Sequence, residues 1–149
     1  MKKRRISREV AMQIIFQLEA QGIIPRKQVD DIAFKNIENL NVLIGHFINN
    51  FYVKDKLNID VIFVEELIRG VLLNLFKIDS RIDDKSDKWR LERMDSIDRS
   101  ILRLSCYELF IKRKLAVAVI INEALEIAKR YGSDSSSAFI NGLLDALKD

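Results

Sequence analysis

The chain has 149 residues, of which 48% are hydrophobic and 32% are charged, and its formal net charge is +3. This length suits one domain, and the high apolar content with a low net charge is not typical of a disordered chain. Five glycines and one proline are too few for a turn-rich β-sandwich. One cysteine excludes an intramolecular disulfide, and with a single histidine it leaves almost no ligands for a conventional Cys/His metal site.

Positive charge is concentrated at the amino terminus. Residues 1–8 contain five of the 25 lysines and arginines and no acid, so the remaining 141 residues carry 20 basic and 22 acidic side chains. The body of the chain therefore has a formal charge of −2, and the positive excess belongs to one end. Asymmetry of this kind indicates a polyanionic partner.

Apolar residues recur at helical spacing through the first half of the chain. Ser7 is a candidate cap for a first helix, which Gly22 and Pro25 end. Asn58 is a candidate cap for a long later helix, which apolar residues spaced three and four apart continue to about residue 84. Between these two, the pattern predicts helices at about 27–39 and 41–54.

The second half follows a polar linker at 83–88 and a short turn at about 89–93, which includes Trp89. Three helices are predicted there, at about 96–112, at about 117–131 and from Ser135–Ser137 onward. Because no stretch shows sustained strand alternation, we predict an all-α protein with about seven helices in two small helical bundles. We expect one compact domain over residues 1–149, with halves at about 1–84 and 85–149.

The sequence lacks the motifs of common enzyme classes, with no glycine-rich phosphate loop, no H-E-x-x-H zinc site and no nucleophile elbow. An acidic stretch from Asp79 does not fit a calcium loop, because its sixth position is Asp84 and its twelfth is Arg90. We therefore predict no catalytic residues, no metal and no cofactor. No apolar run approaches the length of a membrane span, so we expect no membrane segment and a cytoplasmic protein.

The basic amino terminus is the first candidate binding surface, and its members are Lys2, Lys3, Arg4, Arg5 and Arg8. Positive charge at the start of a helix opposes the helix macrodipole, so helix stability does not explain it. Arg4 and Arg8 are four residues apart and project from one side if the helix begins early, and guanidinium groups match phosphate bidentately. The alternative is a disordered solubilising tail, and charge alone does not separate RNA from DNA or an anionic membrane.

The segment 131–139 is the second candidate surface. The amino terminus of a helix offers N–H groups to anions, and the hydroxyl of Ser135 can hydrogen-bond a phosphate or a base edge. Phe139 follows and can stack on an unpaired base. In the alternative interpretation, the serines only cap the helix and Phe139 belongs to the core.

Several ordered motifs give the chain a resemblance to a known family. They begin with Arg8-Glu9 and Gln13, and continue with WRLERM at 89–94, DRSILRL at 98–104, YEL at 107–109, INEA at 121–124 and FINGLLD at 139–145. Together they resemble the bacterial transcription antitermination factors of the NusB family. The resemblance is strong over about 1–20 and 89–147, whereas 23–60 is matched only by its helical character.

The resemblance implies an all-α, non-enzymatic protein made of two small helical bundles. It implies binding of single-stranded boxA RNA in nascent transcripts together with NusE, a small-subunit ribosomal protein. It further implies a complex with RNA polymerase and other Nus factors that supports ribosomal RNA transcription.

The resemblance also implies site residues. NusE contacts fall at Phe16 and Asp98, and Ser135 stands where the family often has an acid. Arg103 and Glu108 are expected to form an intramolecular ion pair. The residues expected to bind RNA are Lys2, Lys3, Arg4, Arg5, Arg8, Ser135 and Phe139.

Two alternatives to this function are kept. One is an accessory RNA-binding domain like those of some RNA methyltransferases, which is disfavoured because no cofactor-binding βαβ segment is seen up to Asp149. The other is a purely protein-binding helical module with an incidental basic tail. The sequence leaves open whether the free protein is a monomer or a homodimer.

Overall fold

The computed structural model describes residues 2–28, 40–86 and 90–149, and within these ranges it contains helices and no strand. The all-α class is therefore confirmed. The α-helices are α1 (Lys2–Ala20), α2 (Leu40–Phe51), α3 (Val61–Leu73), α4 (Leu75–Lys85), α5 (Ser96–Cys106), α6 (Val117–Tyr131) and α7 (Ser136–Leu147). Short 3₁₀ helices occur at Val53–Asn58 and Leu91–Arg93, and a π-helical segment, Tyr107–Lys112, continues α5. Residues 29–39 of the predicted second helix and Trp89 lie outside the described residues.

The first helix begins earlier than predicted. Ser7 was expected to cap it, but α1 starts at Lys2 and Ser7 lies in its interior. There the Ser7 hydroxyl donates to the carbonyl of Lys3 (2.7 Å) and accepts the backbone N–H of Asp60 (2.9 Å), so it joins α1 to the start of α3. The basic residues at the amino terminus are therefore part of the first helix and not a tail that precedes it.

The long helix predicted from Asn58 to about residue 84 is two helices. Asp60, not Asn58, caps α3 by accepting the N–H of Phe63 (3.1 Å). At Asn74 the backbone leaves helical geometry (φ −117°, ψ 18°), and the Asn74 amide donates to the carbonyl of Gly70 (2.8 Å). Val71 and Leu75, on either side of the break, are both buried. The apolar spacing in the sequence therefore continues across the break and gives no sign of it.

Helix α5 is the centre of the molecule and packs against α1, α3, α4, α6 and α7. Every residue from Asp98 to Cys106 is buried. A helix surrounded on all sides usually carries apolar residues throughout, yet α5 includes the fully buried Arg99 and Arg103. The core therefore has to contain their counter-charges. The predicted boundary between two halves at about residue 84 stays a prediction.

Carboxylates from two other helices supply those counter-charges. Arg99 pairs with Glu19 of α1 and donates to the carbonyls of Leu91 (3.1 Å) and Met94 (2.6 Å). Arg103 makes two hydrogen bonds to Asp79 of α4 (3.0 and 2.9 Å). The predicted pair between Arg103 and Glu108 is therefore wrong.

The Asp79–Arg103 pair also ties in the chain that follows α1, because Arg103 donates to the carbonyl of Pro25 (2.7 Å). Burial raises the pKa of Asp79 to about 6, in spite of the opposing attraction of Arg103. The carboxylate thus depends on the guanidinium to remain ionised in the interior.

Replacing Arg103 by methionine leaves Asp79 buried without its partner, so we expect the free energy of unfolding to fall by about 3–5 kcal/mol at pH 8. Arg103→Met removes an attraction that lowers the pKa of Asp79, so its folded-state pKa rises above about 6 while the unfolded value stays near 3.8. A carboxyl with a raised folded pKa makes stability fall as pH increases through that window, so the loss is smaller at pH 5 than at pH 8. Urea denaturation at both pH values measures this.

Two further variants serve as controls. The exposed Arg69→Met on α3 should be nearly neutral, and Arg103→Met combined with Asp79→Asn should recover part of the loss because no unpaired carboxylate remains. A loss in Arg103→Met that is equal at both pH values and unrelieved by Asp79→Asn contradicts this explanation.

Candidate nucleic-acid interface

The first turns of α1 separate the basic residues by burial. Lys3 and Arg4 are exposed, Arg5 is half-buried, and Arg8 is only 6% exposed. The predicted residue Lys2 starts the helix. The sequence cluster is thus divided between a surface and an interior group, because successive residues on a helix point in different directions.

Arg8 is committed to the interior. Its guanidinium donates to both carboxylate oxygens of Glu108, at 2.8 and 3.0 Å, and lies 3.6 Å from Glu123. Both carboxylates are buried. This bidentate pair joins α1 to the π-helical segment after α5. Because Arg8 is buried, it has little surface with which to contact a ligand.

Arg5 is held at the edge of the same cluster. Its Nε and Nη2 donate to one oxygen of Glu123 on α6, at 3.0 and 2.7 Å, while 38% of its side chain stays exposed. The hydrogen bond and charge of Glu123 raise the pKa of Arg5. Glu123 therefore orients a half-exposed guanidinium.

Arg4 is oriented by an aromatic ring instead of a carboxylate. Its guanidinium carbon lies 3.9 Å from the centroid of the buried Phe63 ring on α3, a typical cation–π distance. The ammonium of Lys112 approaches the same ring at 4.7 Å and pairs with Glu66 at 3.0 Å. Lys112 thus joins the basic surface at the start of α1.

The second candidate surface is a groove between the starts of α5 and α7, with a volume of about 490 Å³. Ser135 and Phe139 line it, together with Asp98, Met94 and Arg93. Ser135 is exposed and makes no capping bond, and Phe139 is half-buried. Ser135 therefore does not cap α7, whereas Phe139 packs against the hydrophobic core and also lines the groove.

The neighbouring Ser136 makes the hydrogen bonds that hold the start of α7 in place. The Ser136 hydroxyl accepts the N–H of Ser133 (2.9 Å) and donates to the buried carboxylate of Asp98 (2.6 Å). Burial raises the pKa of Asp98, and the bond from Ser136 opposes that rise. Asp98 thus connects α5 to the start of α7.

The structure does not bring the two predicted NusE positions together with the basic surface. Phe16 is half-buried on α1, eleven residues beyond Arg5, which is about 16 Å along the helix axis. Asp98 lies in the groove beside Ser135. The predicted site residues therefore occupy three places: the start of α1, the middle of α1 and the α5–α7 groove.

Sequence reasoning missed Glu123 and Phe63 as parts of the site. Both are far from α1 in the chain, Glu123 being 118 residues from Arg5, so no local spacing connects them. The two buried acids that face α1, Glu108 and Glu123, come together only when the helices pack.

In the described ranges, no group of side chains could hold a metal ion, and no helix is long and apolar enough to cross a membrane.

Comparison with known proteins identifies relatives along almost the whole chain. The sequence matches the model of the NusB family over residues 5–149. It is 39% identical over 142 residues to a transcription antitermination protein NusB of Desulfitobacterium hafniense, covering 95% of this chain and 85% of that protein. It is 36% identical over 153 residues to the protein of that name in Syntrophotalea carbinolica, with 97% and 90% covered.

Solved structures share the fold. NusB of T. maritima is 33% identical, with a TM-score of 0.75 and coverage of 97% of this chain and 89% of that chain. A complex of the antitermination factors NusB and NusE with double-stranded RNA contains a chain that is 20% identical, with a TM-score of 0.76 and coverage of 99% and 97%.

Gly132 tests how tightly the start of α7 is built. A Cβ at this position would lie 2.5 Å from the Ser136 hydroxyl oxygen and 2.8 Å from the carbonyl of Ala128. We expect Gly132→Ala to displace Ser136 from Asp98 and to lower the free energy of unfolding by about 1–3 kcal/mol. Thermal or urea denaturation measures the loss.

Gly142→Ala is the matched control, because a Cβ there has open space within helix α7. It should be neutral or stabilise by up to about 1 kcal/mol through helix propensity. If the two variants have equal stability, the close approach at Gly132 is not the constraint described.

Proposed function

The chain belongs to the NusB family, and from this membership we propose that it is an RNA-binding transcription antitermination factor. It acts together with NusE on boxA RNA in nascent transcripts, within a complex of RNA polymerase and other Nus factors that supports ribosomal RNA transcription. It works by binding, not by catalysis, and in the cytoplasm, where bacterial transcription takes place. The observation that carries the proposal is a set of oriented, exposed cations at the start of α1.

Orientation distinguishes this surface from a solubilising tail. Arg4 is held over the ring of Phe63, and Arg5 is held by Glu123, so neither guanidinium has to be ordered when RNA arrives. Binding therefore costs less side-chain entropy than it would for a flexible tail. Because the rest of the chain has a formal charge of −2, the positive potential stays local and directs a polyanion to one end of the molecule.

The roles of the basic residues differ in the proposal. Lys2, Lys3, Arg4 and Arg5 contact phosphates, and Lys112 adds to the same field. Arg8 is a positioning residue, because its buried pair with Glu108 fixes α1 against the segment after α5. Loss of Arg8 thus changes RNA binding through the placement of the helix.

In the proposal, the α5–α7 groove contacts the bases of the RNA. Phe139 presents a half-buried ring on which an unpaired base stacks. The exposed hydroxyl of Ser135, which lies 3.3 Å from the Ser133 hydroxyl, hydrogen-bonds the same nucleotide. Asp98 positions this surface through Ser136. For NusE, Phe16 remains the proposed contact on α1, and its half-buried ring leaves apolar area for a protein partner.

The salt dependence of RNA binding tests the proposal. Arg4→Ala/Arg5→Ala should weaken binding of single-stranded boxA RNA and reduce the slope of log affinity against log salt by about 1.4, since each phosphate neutralised on a single strand contributes about 0.7. Titrations with boxA RNA and a scrambled RNA, with and without NusE, measure both effects. Circular dichroism checks that helix content is unchanged.

The control is Lys77→Ala/Lys148→Ala, which removes two charges from α4 and the residue after α7. It should leave the slope unchanged. If the control lowers the slope as much as Arg4→Ala/Arg5→Ala, net charge and not this surface is responsible. Binding of NusE without any binding of RNA would favour the protein-binding module instead.

A further inference from the structure

A second guanidinium bridges α6 and α1, at Arg130. Its Nη1 donates to both carboxylate oxygens of Glu9, at 3.0 and 3.3 Å. The Tyr131 hydroxyl also approaches Glu9, at 3.4 Å, and the guanidinium carbon of Arg130 lies 5.5 Å from the Tyr131 ring centroid. Glu9 is buried, so one end of the pair is fixed in the protein interior.

The other end of the pair faces water. The side chain of Arg130 is 64% exposed although its partner is buried. Within the described residues, the protein uses only Nη1, so Nε and Nη2 keep their N–H donors for a ligand. The opposite charges of Glu9 and Arg130 cancel at long range. Arg130 therefore attracts an anion mainly through short, directional hydrogen bonds, which a phosphate oxygen can accept.

Arg130 lies between the two proposed RNA surfaces, the start of α1 and the α5–α7 groove. Arg5 reaches α6 at Glu123, and Arg130 lies seven residues further along α6, about 10 Å along the axis. Arg5 and Glu9 are four residues apart and share one face of α1. Arg130 also precedes Ser135 by five residues, so it lies next to the loop that leads into the α7 groove.

We propose that Arg130 is a further RNA contact, which binds a backbone phosphate of a single strand passing from the start of α1 towards the Ser135–Phe139 groove. Glu9 and Tyr131 are positioning residues that hold its guanidinium. This inference rests on the proposed function and adds a contact that joins the two surfaces into one path. It places the strand along the two ion pairs that link α1 and α6, Arg5–Glu123 and Arg130–Glu9.

Arg130→Ala tests the contact against a neighbour of equal charge. We expect it to weaken binding of the boxA RNA about tenfold and to reduce the salt slope by about 0.7. Lys129→Ala removes the same charge one residue earlier, from a side chain that is 62% exposed and pairs with Glu126, and should change affinity less than about twofold. Equal effects of the two variants would overturn the inference.

A purely structural role for Arg130 predicts a different result, because Arg130→Ala leaves Glu9 buried and unpaired. Glu9→Gln/Arg130→Gln removes both charges and should restore stability in urea. On our proposal the RNA affinity stays low in this double variant. Recovery of wild-type affinity together with stability would show that Arg130 only neutralises Glu9, and would overturn the contact.

The inference and the proposed function fail in distinguishable ways. If Arg4→Ala/Arg5→Ala loses affinity while Arg130→Ala binds as the wild type does, the function stands and the contact at Arg130 is wrong. If the wild-type protein binds no RNA with or without NusE, both are wrong.

Discussion

Burial of arginine in the central helix is the constraint on which the rest of the structure depends. A guanidinium cannot be left unpaired in the interior, since the energetic cost of a buried, uncompensated charge is several kcal/mol. Arg99 and Arg103 of α5 therefore require Glu19 of α1 and Asp79 of α4 at defined positions. Other donors of the two guanidinium groups bind the carbonyls of Pro25, Leu91 and Met94. One helix thus fixes two others and two connecting segments.

The same principle creates the candidate interface. Glu108 and Glu123 are buried acids that face the start of α1, and Arg8 and Arg5 approach them from that helix. Such pairs add little net stability compared with apolar side chains, but they constrain the geometry because separating the partners leaves an uncompensated buried charge. The result is that the amino-terminal helix is docked, and the cations left at its surface have fixed positions. A basic sequence is converted in this way into a shaped surface.

The sequence predicts some elements closely and others poorly, for identifiable reasons. The predicted helix at about 117–131 coincides with α6, because its apolar stripe is bounded by the polar turn at Gly132. The break at Asn74 escaped prediction because both helices bury the same stripe, so the apolar period continues across it. Ser7 suits a helix cap in the local sequence, but its hydroxyl bonds Asp60, which is 53 residues away. Local rules fail where a polar group finds a distant partner.

By itself the sequence determined the all-α class, the family, and the concentration of positive charge at one end, because these depend on composition, period and motif order. Only the tertiary structure decided which of those cations reach solvent. Arg5 and Arg8 are equivalent in sequence, yet one is half-exposed and the other is buried against Glu108, 100 residues further along the chain. Exposure and pairing arise from packing between elements, and no local pattern contains that information.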